Sequence, residues 1–319
     1  MEHFVSICDR NFLPQVLALF RSMERHCEPF VLWVLTVDDA AADMLESLAL
    51  GDRMKVIRST RVETPALAAA RAERHTGEFC WTLTPFSPRI VFDADPSVQR
   101  VTYLDADLWF RGSPRPLFAE LEQSGKTVLI TDHNYAPDHD QSDRTGRFCV
   151  QFMTFARSGA EAVIDWWSAR CLEWCYARFE DGKFGDQKYL DDWEERFPNE
   201  VHVLRDPELI LGPWGATRFP FARSRVYHFH GLRLLAGGRV LLSRGYTIPA
   251  SYARGLYQPY LRDLSWAAGK LTDAGFALPV QAKQPGPITA LGIFARRFQR
   301  WIARQAPFQT GRIAPDRQG

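Results

Sequence analysis

The feature that most constrains this chain is the regular exchange of short apolar runs for helical spacings, which starts at its first residues. His3 to Cys8 is an apolar strand, and Phe12 to His26 then follows helical spacing with Leu17, Phe20 and Met23 on one face. Phe30 to Val37 is a second buried strand, rich in Val, Leu and aromatics. Asp38 offers an N-cap to a helix running to Leu50, with Asp39 in its first turn. Met54 to Ile57, Val101 to Leu104 and Thr127 to Thr131 supply three further strands. Alternation of this kind predicts an α/β domain with a mainly parallel sheet and helices on both faces. Ligands of such sheets bind beyond the carboxyl ends of the strands.

Composition narrows the function classes. With 319 residues the chain has room for one large domain or two small ones, and 46% hydrophobic residues suffice for a proper core. A formal net charge of only +1 gives no whole-chain attraction to nucleic acid, and none is expected as a partner. The opening MEHFVSICDRNF lacks a basic segment followed by an apolar one, so no signal peptide is expected, and Phe30 to Val37 is too short to span a bilayer. Six cysteines stand without C-x-x-C spacing, which favours buried free thiols in a reducing cytoplasm over a zinc site or a disulfide framework.

The residues with most chemical content follow the fourth strand. In YLDADLWF, Asp105 and Asp107 flank Ala106. Two carboxylates one residue apart at a strand end can converge on one divalent cation while leaving positions open for phosphate oxygens. A solvated turn carrying two surface acids has the same spelling, so the pair decides little without its surroundings. Those surroundings are a nucleotide-binding type of sheet and a Pro-rich turn, Ser113 to Pro116, ahead of the next helix. Together they resemble the nucleotide-sugar glycosyltransferases of the GT-A (Rossmann-like) fold, in which this motif binds the metal of a metal–UDP-sugar complex. Haloacid-dehalogenase phosphatases also use Asp-x-Asp, but with Thr or Val four residues after the first Asp; here that residue is Trp109.

Further motifs agree in order with glycosyltransferase family 8 and its bacterial surface-polysaccharide relatives, which the chain resembles over roughly residues 1–246. In ICDRNF, the resemblance gives Asp9 a hydrogen bond to the base and makes Asn11 and Phe12 a frame for base and ribose; a helix cap would use the same residues. In KFGDQKYLDDW, Asp186 and Gln187 match an Asp-Gln pair set against the donor sugar, although simple capping is an alternative. In VYHFHGL, His228 and Gly231 match a His-x-x-Gly whose His is the third metal ligand, with His230 as competitor. Two carboxylates and an imidazole suit Mn²⁺ (or Mg²⁺), the nitrogen tilting the set towards Mn²⁺.

The chain departs from the family where Asn-x-Gly is usual. Cys149 and Gln151 stand there, and Gln151 is expected to supply an amide to the donor in their place. Arg233 lies one position before the Lys that meets the diphosphate in the family, and Arg89 lies near its donor-binding Arg. The resemblance implies transfer of a hexose, with retention, from a UDP-sugar to a glycan or lipid-linked saccharide. Two rival readings are a catalytically degenerate protein of the same fold that binds nucleotide-sugar or glycan, and a nucleotidyltransferase. The second generally needs a Gly-rich basic loop after the first strand, where Asp9 to Pro14 holds one Arg and no Gly.

Three stretches remain. Asp132 to Arg147 is polar and aperiodic, expected to be a lid that is mobile until donor binds. An aromatic-rich helix is expected over Ala160 to Phe179. Past Tyr246 the pattern weakens, so the expected division is a catalytic domain at 1–246, an extension with a Pro-rich linker at 247–286, and a C-terminal helical extension at 287–319. From Gly286 onwards there are six Arg against one acid, Asp316, with Leu291, Phe294, Phe298, Trp301 and Ile302 at helical spacing. A basic amphipathic helix of this kind can lie on an anionic membrane, or pack on the domain.

Overall fold

A computed structural model describes residues 1–281 and the short strand at residues 310–312. Among the described residues thirteen strands run in chain order: β1 Glu2–Cys8, β2 Phe30–Thr36, β3 Met54–Arg58, β4 Arg100–Leu104, β5 Leu108–Phe110, β6 Val128–Asp132, β7 Phe148–Ala156, β8 Val201–Val203, β9 Ile210–Leu211, β10 Val226–His228, β11 Arg233–Leu235, β12 Arg239–Leu241 and β13 Thr310–Arg312. Seven form the main sheet in the order β3-β2-β1-β4-β7-β6-β8, all neighbours parallel except where β7 meets β4 and β6. The sheet is buried on both faces, as strand periodicity makes plain. Phe4, Leu32 and Val34 pack with helices Leu13–His26 and Arg115–Ser124, whereas Val5, Val31 and Trp33 pack with the helices of residues 65–94 and 161–173. The α/β architecture with a mainly parallel sheet and helices on both faces is therefore present.

The early strands lie within a residue of their expected places, and Asp38 caps its helix through the Ala41 N–H at 2.8 Å, although that helix ends at Ser47, three residues before Leu50. Other parts differ. The helix expected to reach Phe179 stops at Glu173, because the Arg74 guanidinium reaches across from a neighbouring element and binds the carbonyls of Cys171 and Leu172. Segment 132–147, expected to be a lid, carries local structure of its own. It holds short helical turns at Pro137–His139 and Ser142–Thr145, and is fixed by Ala136 N–H to Trp214 O, Lys188 Nζ to Ser142 O and Arg147 N–H to Asp191.

Residues past Tyr246 are more ordered than their pattern suggests. Helix Gln258–Asp273 packs along helix Leu13–His26, and its buried Asp263 accepts from Trp109 Nε1 at 2.7 Å and pairs with Arg21 and Arg25. Strand β13 lies antiparallel to β12. Of the C-terminal helical extension expected at 287–319, all but residues 310–312 falls outside the described residues. Among those described, no helix is long and apolar enough to cross a membrane. All six cysteines are free thiols, and all but Cys80 are buried.

Candidate active site

The site forms where the carboxyl end of β4 meets a second, smaller sheet. β4 ends at Leu104, and the Asp105 N–H donates to the Gln151 carbonyl of β7 at 2.9 Å, extending the ladder by one bond. The chain then turns, Leu108 N–H closing on Asp105 O at 3.1 Å, and enters β5. β5 pairs antiparallel with β10, placing Leu108 opposite His228, while Phe229 N–H binds Asp107 O at 2.9 Å. This long-range pairing brings a histidine from late in the chain to the acidic pair. Gly231 has φ +78, and a Cβ there would meet the Arg244 backbone nitrogen at 3.0 Å, so the turn after His228 requires glycine.

One donor atom each from Asp105, Asp107 and His228 lies within 4.8 Å of the others. His228 Nε2 is 2.9 Å from Asp107 Oδ1 and 3.7 Å from Asp105 Oδ2. Two carboxylate oxygens and one imidazole nitrogen converging on a point fit a divalent first-row cation. His228 Nε2 is the ring nitrogen that faces both carboxylates. Burial alone would lower the His228 pKa, but the charge and hydrogen bond of Asp107 override it and the pKa is raised. Burial likewise pushes Asp107 up, and His228 brings it down to about 2. Asp105 is raised by burial and by the charge of Asp107, against the opposing pull of His228 and of the Tyr103 hydroxyl, which donates to it at 2.9 Å.

Asp107 is only 8% exposed, so it is a buried carboxylate and not the surface acid of a solvated turn. His230 is exposed and lies outside this cluster, its ring 5.4 Å from that of His228, so the structure groups His228 and not His230 with the acidic pair.

Two cavities of about 280 Å³ each open on either side of the cluster. The first is lined by Asp9, Phe12, Cys80, Tyr103, Asp107 and Arg233. Asp9 is also the cap foreseen for it, accepting from the N–H groups of Asn11 and Phe12, and the Arg233 guanidinium lies over the Phe12 ring at 5.8 Å. The second is lined by Asp186, Gln187, Tyr135, Trp214 and Tyr246. Trp81, Asp105, His228 and His230 line both. Asp186 is buried, and burial followed by the charge of Asp105 raises its carboxyl well above the usual range. Gln187 donates its amide to Thr145 O at 2.6 Å, tying the Asp-Gln turn to segment 132–147.

Three expected site residues are placed elsewhere. Arg89 is exposed on helix Ser87–Ala94, pairs with Asp165 at 2.6 Å and lines neither cavity; the register of that segment could not be read without its helices. Asn11 is exposed at the rim of an adjoining hollow with Arg10 and Asp38, its amide turned back to Asp9. Gln151 does not face a donor cavity: it is fully buried, and its Oε1 accepts from His228 Nδ1 at 2.9 Å.

Several lining residues went unforeseen. Tyr103 was legible, since strand alternation sets it on the same side as Asp105. Trp214 sits edge-on to His133, His228, His230 and Tyr246, and Gly212 lacks the side chain that would collide with its indole, where a Cβ would meet Trp214 Cζ2 at 2.4 Å.

No family model matches the chain. It is 29% identical over 252 residues to the uncharacterized protein YfnF of Bacillus subtilis (strain 168), an overlap covering 73% of this chain and 82% of YfnF. Among solved structures, the glycosyltransferase GlyE of Streptococcus pneumoniae TIGR4 superposes with a TM-score of 0.50 at 15% identity, covering 88% of this chain and 66% of GlyE. An active-site mutant of LgtC superposes with a TM-score of 0.50 at 13% identity, covering 72% of this chain and 87% of that one. The chain has the GT-A fold. In this GT-A chain the acidic pair, the β5–β10 pairing and both cavities all gather at the carboxyl edge of the parallel strands, where open α/β sheets bind ligands.

Proposed function

We propose that this protein is a metal-dependent glycosyltransferase of the family 8 kind, which transfers a hexose with retention from a UDP-sugar to a glycan or lipid-linked saccharide. The observation that carries the reading is the position of Asp105, Asp107 and His228 between two cavities: one at the end of β1, the other holding Asp186 and Gln187. A nucleotide diphosphate sugar has that form, with a base at one end, a sugar at the other and two phosphates between.

Asp105, Asp107 and His228 would hold Mn²⁺ (or Mg²⁺), which when bound supplies countercharge for a departing diphosphate. Asp9 and Phe12 frame the nucleoside, and Arg233 offers phosphate a planar, permanently charged fork. Asp186, buried at the floor of the second cavity, binds and orients sugar hydroxyls, while Gln187 sits beside it at the reacting end. The aromatic wall of Trp81, Tyr135, Trp214 and Tyr246 limits water access to the same space. A lipid-linked acceptor fits the Arg-rich terminus, and with it a cytoplasmic protein lying peripherally at the inner face of the membrane.

The test is release of free UDP from each of a panel of UDP-sugars, with Mn²⁺ and with EDTA, followed by proton NMR of the first glycoside formed. Turnover that needs Mn²⁺ and conserves the anomeric configuration is expected. Release unaffected by EDTA removes the metal role, and an inverted product removes retention.

A further inference from the structure

Gln151 holds two of the three proposed metal ligands at once. Its main-chain carbonyl accepts the Asp105 N–H at 2.9 Å, and its side-chain oxygen lies 2.9 Å from His228 Nδ1. It stands in β7, the antiparallel strand inserted beside β4, and is 1% exposed, so no water competes for either bond. The imidazole has only two nitrogens. An acceptor fixed at Nδ1 requires that atom to carry the proton, which leaves Nε2 as the atom with a free lone pair once its own proton is displaced. Nε2 is the nitrogen facing both Asp107 and Asp105.

We propose that Gln151 is a positioning residue of the metal site: it selects the His228 tautomer and locks the ring plane so that Nε2 faces the cation. The proposal rests on the metal reading above. Metal-bound histidines generally need such a partner on the far nitrogen, and removing it weakens metal affinity by about 10- to 100-fold. The arrangement also gives a physical sense to the departure seen in the sequence, where a glycine would leave Nδ1 facing the strand with no side-chain acceptor. Gln151 touches no donor cavity, so it acts only through His228 and Asp105.

The experiment measures Mn²⁺ affinity by calorimetry and by electron paramagnetic resonance of free Mn²⁺, in saturating UDP, on the full chain. Gln151→Met keeps the main-chain bond to Asp105 and nearly the same shape, but removes the acceptor; affinity is expected to fall about 10- to 100-fold. Gln151→Glu restores an oxygen at that point and should recover most of the loss. In a His228→Ala background, Gln151→Met should weaken binding no further, because the two residues act as one. Affinity within about twofold of wild type in Gln151→Met overturns the proposal. So does a loss that persists in full without His228, since Gln151 would then act on the fold at large. Wild-type protein that binds no Mn²⁺ overturns the metal reading itself, and is told apart from those outcomes before any variant is measured.

Discussion

Replacing Asp107 by Asn deletes the carboxylate on which His228 depends and leaves a polar group of the same size in a buried place. Mn²⁺–UDP affinity is expected to fall by at least about 100-fold in calorimetry, because a neutral amide oxygen replaces one of three ligands. The fold is expected to lose roughly 1–3 kcal/mol in urea unfolding as well, since Asp107 is buried and its partner imidazole loses the nearer of its two carboxylates. Unchanged affinity would falsify the assignment of the cluster. Asp186→Asn tests the other cavity. It preserves shape and leaves the metal ligands alone, so Mn²⁺–UDP binding should persist within a few-fold while transfer drops roughly 100-fold or more, the scale of a lost transition-state contact. Loss of UDP binding in that variant, with transfer per bound enzyme intact, would move Asp186 from the sugar to the nucleotide.

At the scale of elements, segment 132–147 carries a titration that reports its packing. His133 is buried against Trp214 and stacked on Tyr135, with Nδ1 3.1 Å from Arg147 O, and burial lowers its pKa to about 4. Its folded pKa lies below the unfolded value of about 6.5, so the unfolded chain takes up the proton first. Stability from this residue is intact above that value and declines as pH falls towards about 4, by up to about 1.4 kcal/mol per unit. His133→Phe should flatten the fall in urea stability between about pH 6.5 and 5 relative to wild type; an unchanged slope means that the segment already opens to solvent. The same scale explains what the sequence made legible. β1, β2 and the capped helix after Asp38 were readable because each buries in a pattern that its own residues spell. β7 was not, since Gln151 and Thr154 are buried polar residues that break an apolar run. The helices between Pro65 and Ala94 were hidden by caps such as His75 and by prolines at 65, 85 and 88 that sit in first turns. The acidic pair and His228 could be nominated from motif order, but the role of Gln151 depends on two strand pairings that no local pattern encodes. Asp263 shows the same limit: removing it as Asp263→Ala should cost about 2–3 kcal/mol in thermal or urea unfolding, because Trp109 Nε1 and two arginines lose their acceptor.

For the whole molecule, the question is whether the Arg-rich terminus serves the lipid-linked acceptor proposed above. Deleting everything from Pro287 is a poor way to ask, because Thr310–Arg312 pairs with β12, and β12 pairs with β11, which begins at Arg233. Such a cut exposes a strand edge beside a proposed phosphate ligand and confuses loss of membrane contact with damage to the site. Charge reversal avoids this. Arg296→Glu, Arg300→Glu and Arg304→Glu together leave residues 310–312 in place and convert a segment with six Arg and one Asp into one with an acidic surplus. Each basic side chain near an anionic bilayer contributes about 1 kcal/mol, so three reversals should reduce binding to phosphatidylserine vesicles by at least about 100-fold in a sedimentation assay. UDP release from the donor, which needs only the two cavities and the cluster between them, should stay within a few-fold of wild type. Transfer to a lipid-linked acceptor in those vesicles should then fall in step with binding, whereas transfer to a water-soluble acceptor should not. Wild-type protein that ignores anionic vesicles, or a triple variant that binds them equally well, assigns the terminus to the protein's own surface and leaves the acceptor to be sought among soluble glycans.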